Sequence, residues 1–275
     1  MSDQTDKHDV KEVLLAGARQ VFTTCCPEEF PEDRADDSFK PDRHLHREIL
    51  FILHGESRFL LNGLVYDARP GVAFLLNKWE VHSYGYRKDD HDLLHLWIHF
   101  SDDRMYGSLV RVSCAGQYRP AGSHMNFNED LHQLLKRRWN MLEKIPECDS
   151  GVKDLLIKPV LNIVFEEFAM FQFGMIEYPK ENTSDITVFL RNYIRNTNGR
   201  GCSLENLEKL SGYSRFHLTR LFREQCGKTI GEYINDIRLH FVKEADKRGL
   251  KQKEIAVELG FSSPAAFWYW LQKHK

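Results

Sequence analysis

No uninterrupted apolar run in the 275 residues approaches the roughly 18 needed to cross a bilayer as a helix, so a helical membrane protein is excluded as a reading. Cysteine is sparse. Cys25, Cys26, Cys114, Cys148, Cys202 and Cys226 include no CxxC pair, and two of them are adjacent, which points away from a disulfide framework and from a zinc ribbon. Overall charge is also small, at −2, so the chain as a whole is neither a basic nor an acidic polymer. The first dozen residues are polar and lack the apolar segment of a secretory leader. The expectation is a soluble cytoplasmic protein with free thiols and no membrane partner.

What is present is unevenly distributed. Residues 185–275 carry 16 Lys+Arg against 10 Asp+Glu, a surplus of +6, which leaves −8 for the first 184 residues with 22 and 30. A basic module on an acidic body suits a polyanion-binding element. With 42% hydrophobic residues over this length, two domains can each bury a core. The expected division is 1–175, a linker at 176–184, where the run IEYPKENTS is polar and holds a proline, and 185–275.

The first part reads as short strands. Apolar or alternating runs at 49–53, 58–61, 72–76, 81–86 and 93–100 are punctuated by Asn62-Gly63, which suits a two-residue hairpin turn, and by Pro70-Gly71. Close turns between short strands predict an antiparallel sandwich or barrel. In 93–100, Leu94, Leu96, Ile98 and Phe100 alternate with Leu93, His95, Trp97 and His99, giving one apolar face and one aromatic face with two imidazoles. Helical spacing follows, with Leu131, Leu134, Leu135, Leu142 and Ile145 behind an Asn126–Glu129 capping spacing, then Leu155, Leu156, Val160, Ile163, Val164 and Phe168 in a helix that Pro159 is expected to kink near its start. The two helices are expected to form a hairpin beside the strands.

The second part is helix and turn throughout. Ile186, Phe189, Leu190 and Tyr193 form a stripe ended by Asn198-Gly199-Arg200-Gly201. In SLENLEKLSGYSRFHLTRLFREQCG, a helix faced by Leu204, Leu207 and Leu210 ends at Gly212, and Ser214 can cap a second helix buried through Leu218, Leu221 and Phe222, which is a helix-turn-helix layout. After a helical pattern over 230–246 the device recurs, with Ile255, Leu259, Gly260, Phe261 and Ser262 in the places of Leu207, Ser211, Gly212, Tyr213 and Ser214. Phe267 lies seven residues after its glycine where Leu218 lies six after its own, so the second copy has one extra turn residue.

This tandem, with its Gly-Tyr-Ser turn and Leu-Thr-Arg-Leu-Phe run, resembles the DNA-binding domain of the AraC/XylS family of transcription regulators, and the resemblance covers almost all of 185–275. His46-x-Glu48, Pro70-Gly71, His82-Ser83 and Trp97-Ile98-His99-Phe100 are similar to the cupin-type effector domain common in that family. The implied fold is α+β in two domains: an N-terminal antiparallel β cupin-like barrel with a helical hairpin, used for effector binding and dimerisation, and a C-terminal all-α double helix-turn-helix. The implied function is sequence-specific DNA binding controlled by a small-molecule effector, a sugar being one candidate, with no enzyme activity. The implied partners are double-stranded DNA, a second copy of the chain through 127–173, and RNA polymerase as a further candidate. Two alternatives stay open: a cupin metalloenzyme fused to a DNA-binding module, and a ligand-independent regulator with a degenerate barrel.

By the resemblance, Phe216, Thr219 and Arg220 meet base edges, Arg220 by two hydrogen bonds to guanine and Phe216 by packing on thymine methyls. Arg215 and Arg223 suit phosphates. The second recognition helix departs from the family pattern with Trp268 and Tyr269 where a polar and a basic residue are usual, so Ser262, Ser263 and Tyr269 are expected on phosphates and Trp268 in apolar contact, in a less stable unit. The effector is expected at His46, Glu48, His82, Tyr84, His95 and Trp97, with the indole stacked on an apolar ligand face. Cupin enzymes hold a metal through a His-x-His pair and a later glutamate and histidine. Here His44, His46 and Glu48 can share one strand face, but Glu48 follows His46 too soon for that motif, so neither metal nor cofactor is expected.

Overall fold

The structure, a computed structural model, describes residues 2–24, 39, 42–84, 92–101, 104–113, 117–121, 124–145, 149–176 and 185–274. The chain divides into two compact units, Met1–Tyr178 and Pro179–Lys275. Of the expected linker, only Ile176 is among the described residues.

Unit 1 opens with helix α1 (Ser2–Ala16), followed by β1 (Gln20–Thr23), β2 (Arg47–His54), β3 (Ser57–Leu61), β4 (Leu64–Ala68), β5 (Val72–Leu76), β6 (His82–Tyr84), β7 (Leu93–Phe100), β8 (Met105–Ser113), β9 (Gln117–Pro120) and β10 (Met125–Asn126), then α2 (Glu129–Leu142) and α3 (Ser150–Gln172). The strands form a larger sheet in the order β1-β5-β2-β7-β8-β10, with β9 on β8, and a smaller one in the order β4-β3-β6. Asn62 and Gly63 join β3 to β4 with φ of 49° and 87°, the doubly positive turn that lets a two-residue loop follow the strand twist.

The alternation of β2 explains the layering. Ile49, Phe51 and Leu53 join the core that also holds Trp139, Val164 and Phe165, and the Phe51 and Phe165 rings stack at 4.0 Å. Leu50 and Ile52 point the other way, into a second core with Phe59 and Leu61 of β3 and Phe74 of β5. The larger sheet is thus covered on one face by helices and on the other by the smaller sheet, so β2 and β5 carry continuous apolar runs. Each such side chain, fully buried, contributes about 1.5–3 kcal/mol.

Four readings of unit 1 need correction. The β1–β5 pair is parallel, in a sheet expected to be antiparallel throughout. Helix α2 is capped by Asn128, whose side chain accepts from Leu131 N at 2.8 Å, rather than from Asn126, because residue 126 still pairs with β8. Leu155 and Ile163 are exposed, at 75% and 44%, and Ile157, Leu161 and Phe165 join the expected Leu156, Val160, Val164 and Phe168 on the buried face of α3. Pro159 lies well inside a helix that continues through it, not at its start.

Unit 2 contains α4 (Asp185–Asn196), α5 (Leu204–Ser211), α6 (Arg215–Cys226), α7 (Ile230–Lys247), α8 (Gln252–Glu258) and α9 (Pro264–His274). Leu190 and Ile194 of α4, Leu207, Leu218, Phe222 and the α7 residues Ile230 and Ile234 form its first core, with Leu221 only half-buried. Ser203 caps α5, accepting from Asn206 N, and Gly212 ends it at φ 73°, a left-handed conformation that a side chain would strain. Ser214 then caps α6, accepting from His217 N. In the second pair the cap is Ser263, not Ser262: its Oγ accepts from Ala266 N at 3.1 Å. The extra turn residue is thus absorbed before the cap, since Phe267 follows Ser263 by four residues as Leu218 follows Ser214.

Candidate functional site

In unit 2 the recognition surface is made by burying the opposite faces of α6 and α9. Leu218 and Phe222 point inward, which leaves Arg215, Phe216, Arg220 and Arg223 exposed, Phe216 at 85%. Thr219 is half-buried and its hydroxyl donates to Arg215 O at 2.7 Å, so it can meet a base edge only by its methyl or by accepting. Glu208 of α5 ties the two helices of the first pair, accepting from Arg215 N at 3.2 Å and facing Arg215 Nε at 3.7 Å. Arg220 Nε lies 3.9 Å from Glu224, an exposed pair that a phosphate or a guanine can displace at little cost.

Helix α9 presents Trp268 and Tyr269 to solvent, the two rings at 47% and 70% exposure, and Ser262 is exposed in the turn before it. Ser263 is half-buried, and since its Oγ accepts in the cap its O–H remains a donor. Trp270 ties this pair to α7. Its Nε1 donates to Asn235 Oδ1 of α7 at 2.9 Å, and its ring lies 5.3 Å from Phe261. Arg238 of α7 lies 5.1 Å over Phe261 and donates to Gly199 O at 2.8 Å, so one side chain joins the second pair to the turn after α4.

In unit 1 the strand register builds a histidine cluster about one carboxylate. The β2–β7 pairing sets Glu48 opposite His99, Leu50 opposite Trp97 and Ile52 opposite His95, all on the face toward the smaller sheet. From that sheet His82 approaches, opposite Leu61. Asp42 and His82 exchange backbone hydrogen bonds of 2.9 and 3.1 Å, and Trp79 N donates to His44 O at 2.9 Å, which brings His44 beside His82 with ring centres 5.1 Å apart.

Glu48 is only 2% exposed. Its Oε1 lies 2.8 Å from His46 Nε2 and 3.0 Å from His99 Nδ1, and its Oε2 lies 3.4 Å from His82 Nε2 and 3.8 Å from His44 Nε2. Burial alone would raise its pKa, but the surrounding imidazoles, His44 by charge and His46, His82 and His99 by hydrogen bonding, hold it well below the usual carboxylate range. Burial pushes His44 down to about 4. For His82 burial also acts downward, yet the hydrogen bond and charge of Glu48 outweigh it and leave the pKa raised. His95, fully buried one strand position beyond Trp97 on the same face, is pushed down to about 3 by burial.

The structure thus gathers His46, Glu48 and His82 of the expected effector residues. His95 and half-buried Trp97 share their face, and the side chain of Tyr84 lies outside the described residues. His44 and His99 belong to the cluster and were missing from the expected set, although alternation along 93–100 already placed His99 with His95 and Trp97. Tyr106, opposite His99 on β8 and stacked on it at 4.7 Å, was unreadable because β8 was not recognised as a strand.

Comparison with known proteins agrees with both halves. Residues 27–150 match the AraC-like ligand binding domain and 207–275 match a helix-turn-helix domain. The chain is 24% identical over 220 residues to an uncharacterised HTH-type transcriptional regulator, YbfI, of Bacillus subtilis, covering 80% of this chain and 78% of that one. It is 23% identical to the HTH-type transcriptional activator RhaS of Mannheimia succiniciproducens, covering 86% of each. Over 34% of this chain and 71% of the relative it is 31% identical to the HTH-type transcriptional activator AarP of Providencia stuartii.

Proposed function

The chain belongs to the AraC/XylS family of DNA-binding transcription regulators with an AraC-like ligand-binding domain, and from that premise we propose that α6 is its main base-reading element and that the inward face of β2 and β7 is its effector site. The observation that carries the DNA reading is the surface of α6: a helix capped at both ends, buried on one side, with Arg215, Arg220, Arg223 and the exposed Phe216 on the other. Arg220 is assigned to a guanine edge, Phe216 to thymine methyls and Arg215 and Arg223 to phosphates. Trp268 and Tyr269 of α9 supply apolar and backbone contacts. Selection from random duplexes tests this: the full chain should enrich one motif, and enrichment of none would remove the base-reading role.

For the effector, support comes from half-buried Trp97 beside the apolar Leu50 and Phe74 and near buried polar groups, a combination that suits a small organic ligand such as a sugar. Thermal shifts of the full chain against a panel of sugars and small acids should find a stabilising compound, and Trp97→Ala should abolish that stabilisation while leaving effector-free DNA binding intact. Unchanged stabilisation would place the ligand elsewhere. Association of two copies through α2 and α3 is part of the same reading. It is supported by the exposed Leu155 and Ile163, as are a cytoplasmic location and a contact with RNA polymerase by the family's role in transcription.

A further inference from the structure

We propose that His44, His82 and Glu48 bind a divalent first-row transition-metal ion inside unit 1, with His46 and His99 orienting the carboxylate. The proposal does not depend on the effector reading. Glu48 Oε1 is occupied, since both His46 Nε2 and His99 Nδ1 lie within hydrogen-bonding distance of it. Its Oε2, although buried, accepts no hydrogen bond of good geometry among the described residues, the long 3.4 Å approach of His82 Nε2 being its nearest contact. Two imidazole nitrogens face that oxygen, His82 Nε2 at 3.4 Å and His44 Nε2 at 3.8 Å, and the three atoms lie within 4.8 Å of one another. Around a tetrahedral ion with bonds of about 2.0–2.1 Å, ligand atoms stand roughly 3.3 Å apart, close to the 3.4 and 3.8 Å between the carboxylate oxygen and the two imidazole nitrogens.

Proton placement supports the same conclusion. His82 Nδ1 lies 3.0 Å from Glu80 O, an acceptor only, so this nitrogen carries the hydrogen. A neutral His82 therefore turns the lone pair of Nε2 toward the lone pairs of Glu48 Oε2, an arrangement that calls for a cation between them or an extra proton on the ring. Support of a ligating imidazole through its other nitrogen, and of a ligating carboxylate through its other oxygen, is what metal sites use to fix their ligands. Here Glu80 O does the first and His46 and His99 do the second, while His44 Nδ1 has no such support among the described residues. With exposures of 9%, 2% and 6% for His44, Glu48 and His82, water supplies little of the balancing charge. Two imidazoles and one carboxylate select zinc, iron, manganese or nickel rather than calcium or a soft monovalent ion.

The test uses untagged full chain, stripped with chelator and titrated with Zn(II) by calorimetry and with Co(II) by absorption, without DNA or effector. One equivalent should bind, and the Co(II) spectrum should show ligand-field bands without thiolate charge transfer. His44→Ala and His82→Ala should each weaken binding at least about 100-fold, and His46→Ala about 10–100-fold, the range for supporting partners. His240→Ala, on exposed α7 surface, should bind as the wild type does. Should the variants fail to fold, the wild-type Co(II) spectrum still decides. No stoichiometric uptake, thiolate bands, or undiminished binding in the folded histidine variants would overturn the assignment and leave the cluster as a buried imidazolium–carboxylate pair.

Discussion

At the scale of single residues, the side chains that define this protein are polar groups placed where their neighbours fix what they can do. Arg220 and Arg223 stand three apart on α6, both exposed, yet only Arg220 is assigned to the base edges. Arg220→Ala is expected to lose about 1–3 kcal/mol on the preferred duplex and to relax preference at one base pair, whereas Arg223→Ala should weaken preferred and scrambled duplexes alike. Equal losses on both duplexes for Arg220→Ala would assign it to phosphate. His95 gives a second expectation. Burial pushes its pKa down to about 3, and an unfolded histidine titrates near 6.5, so the fold keeps it neutral while the unfolded chain takes up a proton below that value. Stability from this group is therefore full above pH 6.5 and is lost as pH falls toward 3. Between pH 7 and 5.5 the wild type should lose about 1 kcal/mol more than His95→Gln, measured by urea unfolding at each pH. Parallel pH profiles would mean that the ring is not held neutral.

At the scale of elements, the caps show how a helix-turn-helix accepts an inserted residue. The hydroxyl that satisfies the first turn of α9 belongs to Ser263, so Ser263→Ala should cost unit 2 about 1 kcal/mol and Ser262→Ala, on an exposed residue, close to nothing. Chemical denaturation of the two variants checks this, and the reverse order would move the cap. The sequence showed the extra residue but not which serine would use it, because both lie before the helix. The same limit recurs elsewhere. β2, β5 and β7 were legible because burial on one or both faces leaves continuous or strictly alternating apolar runs. β8, with glycine, serine and arginine in MYGSLVRVS, leaves no such run and was missed, and Tyr106 with it. β1 and α1 were missed for a different reason. Four residues are too few to show a period, and α1 owes its place to tertiary contacts near its end, where Ala18 N donates to Asn162 Oδ1 at 3.1 Å and Lys158 Nζ to Arg19 O at 2.9 Å. The histidine cluster was half legible: alternation put His46 with Glu48 and His99 with His95, but only the β2–β7 register sets Glu48 against His99, and register is a long-range property.

At the scale of the whole molecule, the decisive quantity is the length of α7, which joins the two helix-turn-helix pairs. It runs from Ile230 to Lys247, 18 residues, and at about 1.5 Å per residue spans roughly 27 Å. Successive major grooves on one face of straight DNA are about 34 Å apart. The connection is held firmly through its first half. Thr229 and Glu232 form a reciprocal capping box at its start, and Asn235 and Arg238, one and two turns in, bind Trp270 and Phe261 of the second pair. A link that short and that firmly held must be compensated by offsets of the recognition helices from it, by bending of the DNA at about 1–6 kcal/mol, or by full insertion of one helix only. The two surfaces differ in the direction that favours the last. Helix α6 carries three exposed arginines, while at the places of Phe216, Thr219 and Arg220 helix α9 offers Ala265, Trp268 and Tyr269, whose only hydrogen-bonding groups are one indole N–H and one phenol. Systematic base substitution across a selected site should therefore give one sharp block of preference per chain, centred where α6 binds, and a shallower flank a helical turn away that responds to the flexibility of the base steps. Arg220→Ala should flatten the sharp block and leave the flank, and Tyr269→Ala should lower affinity on every sequence. Two equally sharp blocks, with the second erased by Trp268→Ala, would show instead that the aromatic surface of α9 reads bases and that the DNA bends to meet it.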